Sequence, residues 1–135
     1  MLQIIDSVIE RFIRWTKVKI RVHFSQKTFN FSERQIWWAG VGQNVGVEQN
    51  GKNDSFERPV LIFKKFNNEQ FWSLPISTKI KANKYNYIFI KDGREFCLSL
   101  SQLRVMDRKR LLRYVGDLSA DNFAAVKAKI KNFLE

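Results

Sequence analysis

The sequence predicts a mainly β fold with helices, namely a small antiparallel barrel of the SH3-like kind with an amphipathic helix at each end. After residue 33 the apolar pattern changes from a helical spacing to short runs rich in aromatic and β-branched residues, which are typical of strands. Turn-forming residues separate these runs, as in a curled antiparallel sheet. With 135 residues the chain is long enough for one core and too short for two. We therefore expect an N-terminal amphipathic helix and connector over 1–33 and a barrel domain over 34–135.

The first helix is predicted over residues 3–22. One stripe of this helix is polar and mostly basic, while the opposite stripe is apolar and contains Phe12 and Trp15. Such a helix could lie on a membrane, bind RNA phosphates or pack its apolar stripe on the domain behind it. Packing is the favoured interpretation because Phe12 and Trp15 are typical of protein cores.

Short apolar runs separated by turns predict the strands of the barrel. The predicted strands span residues 35–41, 59–66, 70–77, 85–90 and 95–100. Asn67-Asn68 and Asp92-Gly93 are predicted as tight hairpin turns, and Asp92-Gly93 is the stronger signal. Further along the chain we expect more sheet over 101–104, a short helical turn over 107–112 and a last strand over 113–118.

The last helix is predicted to begin after Ser119, whose hydroxyl suits an N-cap. One face of this helix is apolar, and we expect that face to close the barrel. It comprises Phe123, Val126, Ile130, Phe133 and Leu134. Lysines lie largely on the opposite face, which we expect to point toward water.

The charge balance of the chain indicates the kind of partner that it binds. Twenty-four Lys and Arg residues stand against thirteen Asp and Glu residues, which leaves a formal net charge of +11. An excess of this size in so short a chain produces a positive field over much of the surface. Nucleic acid or an acidic protein is therefore the expected partner.

The inventory of reactive side chains excludes several classes of chemistry. His23 is the only histidine and Cys97 the only cysteine, so the chain has no set of ligands for zinc and no internal disulfide. A single histidine also excludes a ribonuclease mechanism that relies on two of them. The sequence shows neither a long apolar run nor a signal-peptide pattern. We expect no metal or other cofactor, no membrane association and a cytoplasmic location.

The segment 42–52 is rich in glycine and too long for a simple hairpin loop. Glu48 and Gln49 lie between its glycines, and Arg58-Pro59 opens the strand that follows. Long loops inside compact domains are often functional. We therefore interpret this loop, together with Arg58, as the centre of the working surface.

Five short motifs occur over residues 34–134 in the order and spacing of one protein family. They are Ile36-Trp37-Trp38, Gly46-Val47-Glu48-Gln49-Asn50-Gly51, Arg58-Pro59-Val60-Leu61-Ile62, Leu74-Pro75-Ile76-Ser77-Thr78, and Ser101-Gln102-Leu103-Arg104 with Asp107 and Arg110-Leu111. Together they resemble the MazF/PemK/Kid toxins of type II toxin–antitoxin systems. Each motif alone is a weak signal, but five in order on a matching strand pattern are specific.

The resemblance implies an mRNA interferase, a metal-independent and sequence-specific endoribonuclease that cleaves single-stranded RNA. In that chemistry the ribose 2′-OH attacks the adjacent phosphate and leaves a cyclic phosphate and a free 5′-OH. The resemblance also implies a homodimer whose groove binds the mRNA, and an acidic, partly disordered cognate antitoxin that lies across the same groove. The barrel of MazF, PemK and CcdB agrees with the fold that the strand pattern predicts.

The resemblance also assigns catalytic residues. Arg58 matches the family's catalytic arginine, and its forked guanidinium suits the extra charge of a pentacoordinate phosphate. Ser77 or its neighbour Thr78 matches the position that hydrogen-bonds the scissile phosphate. Glu48 is predicted as a proton acceptor or as the partner of Arg58.

Further side chains are predicted to bind the substrate around the scissile phosphate. These are Gln49, Lys52, Gln102, Arg104 and Trp38. Gln102 and Arg104 could equally fix the loops of the barrel itself. By alternation only one of Trp37 and Trp38 can face the core, so the other is available for stacking on a base or for contact between subunits.

Two features depart from the family pattern. Residues 52–57 make the loop longer than usual, and the N-terminal helix has no counterpart in typical members. The longer loop could reshape specificity or block the groove, and the helix could cover the groove, extend the dimer interface or serve a partner.

Two other functions are compatible with the sequence. One is a toxin that binds gyrase, as CcdB does, and the other is an RNA-binding module without catalytic activity.

Overall fold

The computed structural model describes residues 1–135, which form two α-helices, seven β-strands and two short 3₁₀ helices. In chain order the helices and strands are α1 (Leu2–His23), β1 (Gln35–Gly40), β2 (Glu57–Lys65), β3 (Gln70–Ser77), β4 (Asn86–Lys91), β5 (Arg94–Ser99), β6 (Arg104–Asp107), β7 (Leu111–Asp117) and α2 (Ala120–Asn132). The 3₁₀ helices are Leu100–Gln102 and Arg108–Arg110. The predicted mainly β architecture with a helix at each end is confirmed.

The seven strands form one antiparallel sheet in the order β4-β5-β3-β2-β1-β7, and β6 pairs with β3 off this path. Strand β3 has three partners, because β2 runs along most of its length, β6 pairs with its first half and β5 pairs with its end. Register shifts between β1 and β7 and between β2 and β3 add local bends and twist. The sheet therefore curls around β3 into a barrel-like shape.

Both faces of the central strands are buried. Ile36 and Leu61 point to one side of the sheet, and their neighbours Trp37 and Ile62 point to the other. The core on the first side comprises Ile36, Leu61, Phe63, Leu74, Ile76, Phe89, Leu98, Leu100, Leu118, Phe123 and Val126, the last two from α2. The core on the second side comprises Phe31, Trp37, Ala39, Val41, Val60, Ile62, Phe71, Met106 and Leu111.

The connector between α1 and β1 covers the second core. The Phe31 ring packs on Phe71 with 5.0 Å between centroids, and the Phe29 ring packs on Trp37 at 5.4 Å. Lys65 Nζ donates a 2.8 Å hydrogen bond to the Phe31 carbonyl oxygen. Two aromatic side chains thus make part of the barrel wall from a segment whose composition indicates a polar linker.

The predicted strands agree with the observed ones to within two residues, but the expectation of more sheet over 101–104 is wrong. A 3₁₀ helix occupies Leu100–Gln102, and β6 begins only at Arg104. This helix redirects the chain because β5 ends beside one end of β3 whereas β6 pairs with the other end. The predicted helical turn is present but confined to Arg108–Arg110, where the Asp107 carboxylate accepts a 2.8 Å hydrogen bond from the Lys109 amide.

Helix α2 begins as predicted, since Ser119 Oγ accepts a 3.1 Å hydrogen bond from the Asn122 amide. Phe123 and Val126 are buried against the barrel, which confirms the first part of the predicted apolar face. The prediction is wrong for Leu134, because α2 ends at Asn132 and Leu134 is 85% exposed, whereas the Phe133 ring packs on Tyr85 with 5.5 Å between centroids. The first turns of the helix reach the sheet and its end extends past the sheet.

Replacing the N-cap of α2 should measurably destabilise the protein. In Ser119→Ala the Asn122 amide loses its side-chain acceptor, and we expect a loss of about 1 kcal/mol in the free energy of unfolding. Urea unfolding of wild type and variant would measure this difference. The conservative variant Ser119→Thr should retain most of the stability, and an unchanged unfolding midpoint for Ser119→Ala would contradict the capping role.

Helix α1 forms where it is predicted, but most of its apolar stripe is not packed. Trp15 is buried, whereas Phe12 is 37% exposed and residues 1–10 are exposed on every side. The expectation that Phe12 is a core residue is therefore wrong. The apolar stripe covers more of the helix surface than the part that contacts the domain. The first half of the helix projects beyond the domain. No helix of the chain combines the length and the apolar content that crossing a membrane requires.

Candidate functional site

A cavity of about 360 Å³ opens between the start of β2, the end of β3 and the β4–β5 hairpin. Its walls bring together residues that lie far apart in the sequence. The lining residues are Ile36, Trp38, Lys52, Asn53, Glu57, Arg58, Pro59, Ile76, Ser77, Thr78, Phe89, Lys91, Arg94, Phe96 and Val115. We call this space the Arg58 cavity. It contains five of the nine predicted site residues, namely Arg58, Ser77, Thr78, Lys52 and Trp38.

Arg58 is the most constrained cation of the cavity. Its side chain is almost buried, with 9% exposure, and its Nε donates a 2.8 Å hydrogen bond to the Asn50 carbonyl oxygen. Its Nη1 donates to the Ile76 carbonyl oxygen at 3.4 Å. With the Gln49 amide oriented so that both of its ends are satisfied, the Gln49 oxygen accepts from Arg58 Nη2 at 2.8 Å. Since a guanidinium has five N–H groups, these contacts leave one proton on each terminal nitrogen for a ligand.

Burial also changes the electrostatics of Arg58. Desolvation lowers the pKa of its guanidinium from the ordinary value, because burial penalises the charged form. An arginine still keeps its charge at neutral pH. The result is a fixed positive group with little competing water, which is the arrangement that best stabilises negative charge developing on a bound anion.

Ser77 and Thr78 lie at the end of β3, on the wall of the same cavity. Ser77 Oγ accepts a 3.0 Å hydrogen bond from the Lys79 amide. This bond uses an acceptor lone pair of the hydroxyl and leaves its proton free to be donated. Thr78 is exposed. Both hydroxyls can therefore donate to an anion beside Arg58.

The cavity is strongly basic. Four cationic side chains line it, namely Lys52, Arg58, Lys91 and Arg94, against a single carboxylate, Glu57. That carboxylate is mostly buried and is paired with Arg113 at 2.9 Å. An anionic ligand with several charges is the natural occupant.

The two tryptophans of β1 face opposite sides, as alternation predicts. Trp37 is buried in the second core, and Trp38 lines the Arg58 cavity. The Arg113 guanidinium lies over the Trp38 ring, 4.8 Å from its centroid. Trp38 thus supplies an aromatic wall to the cavity, and a cation covers one face of its ring.

The other four predicted site residues line a second cavity of about 500 Å³, whose wall includes part of the glycine-rich loop. They are Glu48, Gln49, Gln102 and Arg104. Glu48 Oε1 accepts a 2.9 Å hydrogen bond from the Val45 amide, so the structure places its carboxylate at the loop and not in the Arg58 cavity. Only Gln49 reaches both sites, because its amide contacts Arg58.

Gln102 and Arg104 hold the glycine-rich loop and its base. Gln102 Oε1 accepts from the Gln49 amide at 3.1 Å, and its Nε2 donates to the Val47 carbonyl oxygen at 3.1 Å. Arg104 Nη1 donates to the Val41 carbonyl oxygen at 3.4 Å. Burial lowers the pKa of Arg104, and the nearby Glu48 carboxylate acts in the opposite direction. These contacts are those of residues that support the loop.

The structure adds four charged residues that sequence reasoning missed. Glu57, Lys91 and Arg94 line the Arg58 cavity, and Arg113 contacts both Glu57 and Trp38. One signal was available, because Lys91 and Arg94 flank the predicted Asp92-Gly93 turn and so must project from one hairpin tip. The described chain contains no group of three or more His, Cys, Asp or Glu side chains that could hold a metal ion.

Comparison with known proteins shows the family and the fold of the chain. The family profile described as the PemK-like, MazF-like toxin of type II toxin–antitoxin systems matches residues 32–134. No curated protein sequence matches the chain significantly. Among solved structures, the chain is similar to MazF (Form-I) from Deinococcus radiodurans, with a TM-score of 0.63, 18% identity, and coverage of 78% of this chain and 97% of that one.

Two further structures have the same fold. The Mycobacterium tuberculosis toxin MazF-mt6 has a TM-score of 0.57 and 18% identity, and the match covers 75% of this chain and 96% of that one. The MazE-MazF (Form-II) structure from Deinococcus radiodurans has a TM-score of 0.58 and 14% identity, with coverage of 78% and 96%. Since the family profile spans most of the chain, the protein belongs to the PemK-like, MazF-like toxins of type II toxin–antitoxin systems.

Proposed function

We propose that this protein is an endoribonuclease toxin, an mRNA interferase that cleaves single-stranded RNA without a metal ion. The observation that carries the proposal is the geometry of Arg58. Its buried guanidinium is held by two backbone carbonyls and the Gln49 amide, with one proton on each terminal nitrogen left for a phosphate. The surrounding cations of the cavity favour a polyanion, and Trp38 offers a face on which an unpaired base can stack.

The proposed reaction uses a nucleophile from the substrate. The ribose 2′-OH loses its proton and attacks the adjacent phosphorus, the P–O5′ bond breaks, and the leaving O5′ takes up a proton from water, so the products are a cyclic phosphate and a free 5′-OH. Arg58 stabilises the extra negative charge of the pentacoordinate phosphate as a fixed charge, because a guanidinium hardly deprotonates. Ser77, or Thr78 beside it, donates its hydroxyl proton to a phosphate oxygen, and Lys52, Lys91 and Arg94 orient the flanking phosphates.

The reaction also needs a group that accepts the 2′-OH proton. Glu57 is the carboxylate that lines the Arg58 cavity, and we propose it for this role. The family resemblance indicates Glu48 instead, but its side chain lines the second cavity. Glu48 therefore remains a candidate for binding RNA beyond the scissile phosphate, together with Gln102 and Arg104.

The same surface suits the partners that the family resemblance implies. A chain of net charge +11 attracts an acidic antitoxin as well as RNA, and one structure of similar fold is described as a MazE-MazF complex. We propose that an acidic antitoxin covers the Arg58 cavity, and that the protein acts as a homodimer. In this proposal residues 34–135 form the catalytic domain and residues 1–33 an accessory segment.

The direct test is incubation of the purified protein with single-stranded RNA in the presence of EDTA. We expect cleavage, with products that carry a cyclic phosphate and a 5′-OH when their ends are mapped. Steeply salt-dependent RNA binding without any product would instead indicate a binding module. Inhibition of gyrase without RNA cleavage would indicate a toxin that acts through protein contact.

A further inference from the structure

The two features that depart from the family pattern pack directly on each other. The Trp15 ring of α1 lies on the Phe56 ring of the lengthened loop, with 5.5 Å between centroids. The Arg11 guanidinium also lies over the Phe56 ring, 4.0 Å from its centroid. Phe56 is 1% exposed as a result. The helix and the longer loop thus form one structural unit.

The lengthened loop folds into a compact turn over residues 52–57. Lys52 and Glu57 pair through two backbone hydrogen bonds of 2.8 and 2.9 Å. Within the turn Asn53 and Phe56 have left-handed backbone conformations, with φ of 63° and 49°. This conformation is unfavourable for a bulky aromatic residue such as Phe56 and persists only where surrounding contacts stabilise it. Burial beneath Trp15 and Arg11 supplies those contacts.

Helix α1 also holds the backbone at the start of this turn. Arg11 donates to the Asn53 carbonyl oxygen at 3.2 Å and to the Gly51 carbonyl oxygen at 3.5 Å. Gly42, at the base of the loop, fits the Trp15 indole so closely that a Cβ there would lie 2.4 Å from the ring. Trp15 therefore packs between Gly42 at the start of the loop and Phe56 near its end.

The turn over residues 52–57 forms part of the wall of the Arg58 cavity. Lys52, Asn53 and Glu57 line the cavity together with Arg58, which follows Phe56 by two residues. The Phe56 carbonyl oxygen accepts hydrogen bonds from the Val41 and Gly42 amides, which anchors the turn to the two residues that follow β1. No residue of α1 lines the cavity. The helix thus lies behind the cavity wall and supports it.

We propose that α1 is a positioning element for the active-site loop, with Trp15 and Arg11 holding Phe56 so that Lys52, Glu57 and Arg58 keep the geometry that the reaction needs. The expected effect on cleavage rests on the proposed function. The effect on the loop does not, because it follows from the contacts alone.

The test compares backbone hydrogen–deuterium exchange in wild type, Trp15→Ala, Trp15→Phe and Ile13→Ala. In Trp15→Ala, amides 51–57 should exchange roughly tenfold faster, while amides 58–65 of β2 and those of β3 keep their protection. Trp15→Phe should restore most of the protection. Ile13→Ala removes an apolar side chain from the exposed stripe of the same helix and should behave as wild type. If Trp15→Ala does not fold, Arg11→Gln carries the same test, because it removes the cation from Phe56 and leaves Trp15 in place.

Cleavage kinetics provide the second measurement. We expect kcat/KM to fall between about tenfold and a hundredfold in Trp15→Ala, with recovery in Trp15→Phe, because small displacements of orienting groups are costly. Unchanged exchange over 51–57, or an equal rise at every amide, would overturn the positioning role. A wild-type protein that cleaves no RNA would overturn the proposed function and leave the exchange result to decide the role of α1.

Discussion

Replacing Arg58 by alanine should lower the rate of RNA cleavage by roughly 10³-fold, because the variant loses the fixed charge that stabilises the pentacoordinate phosphate. Arg58→Lys should recover only a small part of this loss. A lysine keeps the charge, but it lacks the forked geometry that contacts Asn50, Ile76 and a phosphate together. Single-turnover cleavage of a single-stranded RNA in EDTA measures both effects.

The control must separate chemistry from stability, because Arg58 is buried. Its removal leaves the Asn50 and Ile76 carbonyls without a donor, and we expect a cost of about 1–3 kcal/mol in the free energy of unfolding. Urea unfolding of each variant shows whether it is folded under assay conditions. Arg21→Ala, on the exposed part of α1, is the matched arginine control and should cleave as wild type does. Cleavage by a folded Arg58→Ala within a few-fold of the wild-type rate would mean that the reactive centre lies elsewhere.

Reversing two charges in the cavity should weaken RNA binding by roughly a hundredfold at low salt. The variant Lys52→Glu/Arg94→Glu replaces two exposed cations of the Arg58 cavity by carboxylates and leaves Arg58 in place. The slope of log affinity against log salt concentration should also become shallower by about one to two, because the variant neutralises fewer phosphates. Binding is measured with a single-stranded 2′-O-methyl oligonucleotide, which lacks the nucleophile and cannot be cleaved.

The matched control carries the same change of net charge away from the cavity. In Lys17→Glu/Lys19→Glu both substituted residues are exposed on α1, and neither lines the Arg58 cavity. We expect only a few-fold loss of affinity for this variant. Equal losses in the two double variants would show that RNA responds to the overall charge of the protein and not to the cavity, which would remove the support for a defined RNA site there.

Local chemistry made much of the fold predictable from the sequence. The Asp92-Gly93 turn, the Ser119 cap and the alternation of Trp37 and Trp38 depend on neighbouring residues, and the structure confirms all three. The position of Arg58 could be predicted for a similar reason, since it stands in a short motif at the start of a strand. Its carbonyl partners could not be predicted, because Ile76 belongs to another strand.

The assembly of the site was decided by the curl of the sheet. The nine predicted site residues divide between two cavities, and Lys91 and Arg94 join Arg58 only because the β4–β5 hairpin folds toward β2. Glu48 and Arg58 are close in sequence, yet their side chains line different cavities. Contacts between distant segments depend on how a sheet bends, and local sequence patterns do not predict that bend.

The sequence by itself determined the order and type of the elements, the positive charge and the family. These properties follow from composition, periodicity and short motifs, all of which are local. Only the tertiary structure decided what the two departures from the family pattern do. An apolar stripe on α1 predicts burial of some kind, but Trp15 is the one residue of α1 that is buried, and its ring packs on Phe56 of the lengthened loop. Packing between segments about 40 residues apart depends on shape, which a periodic pattern does not contain.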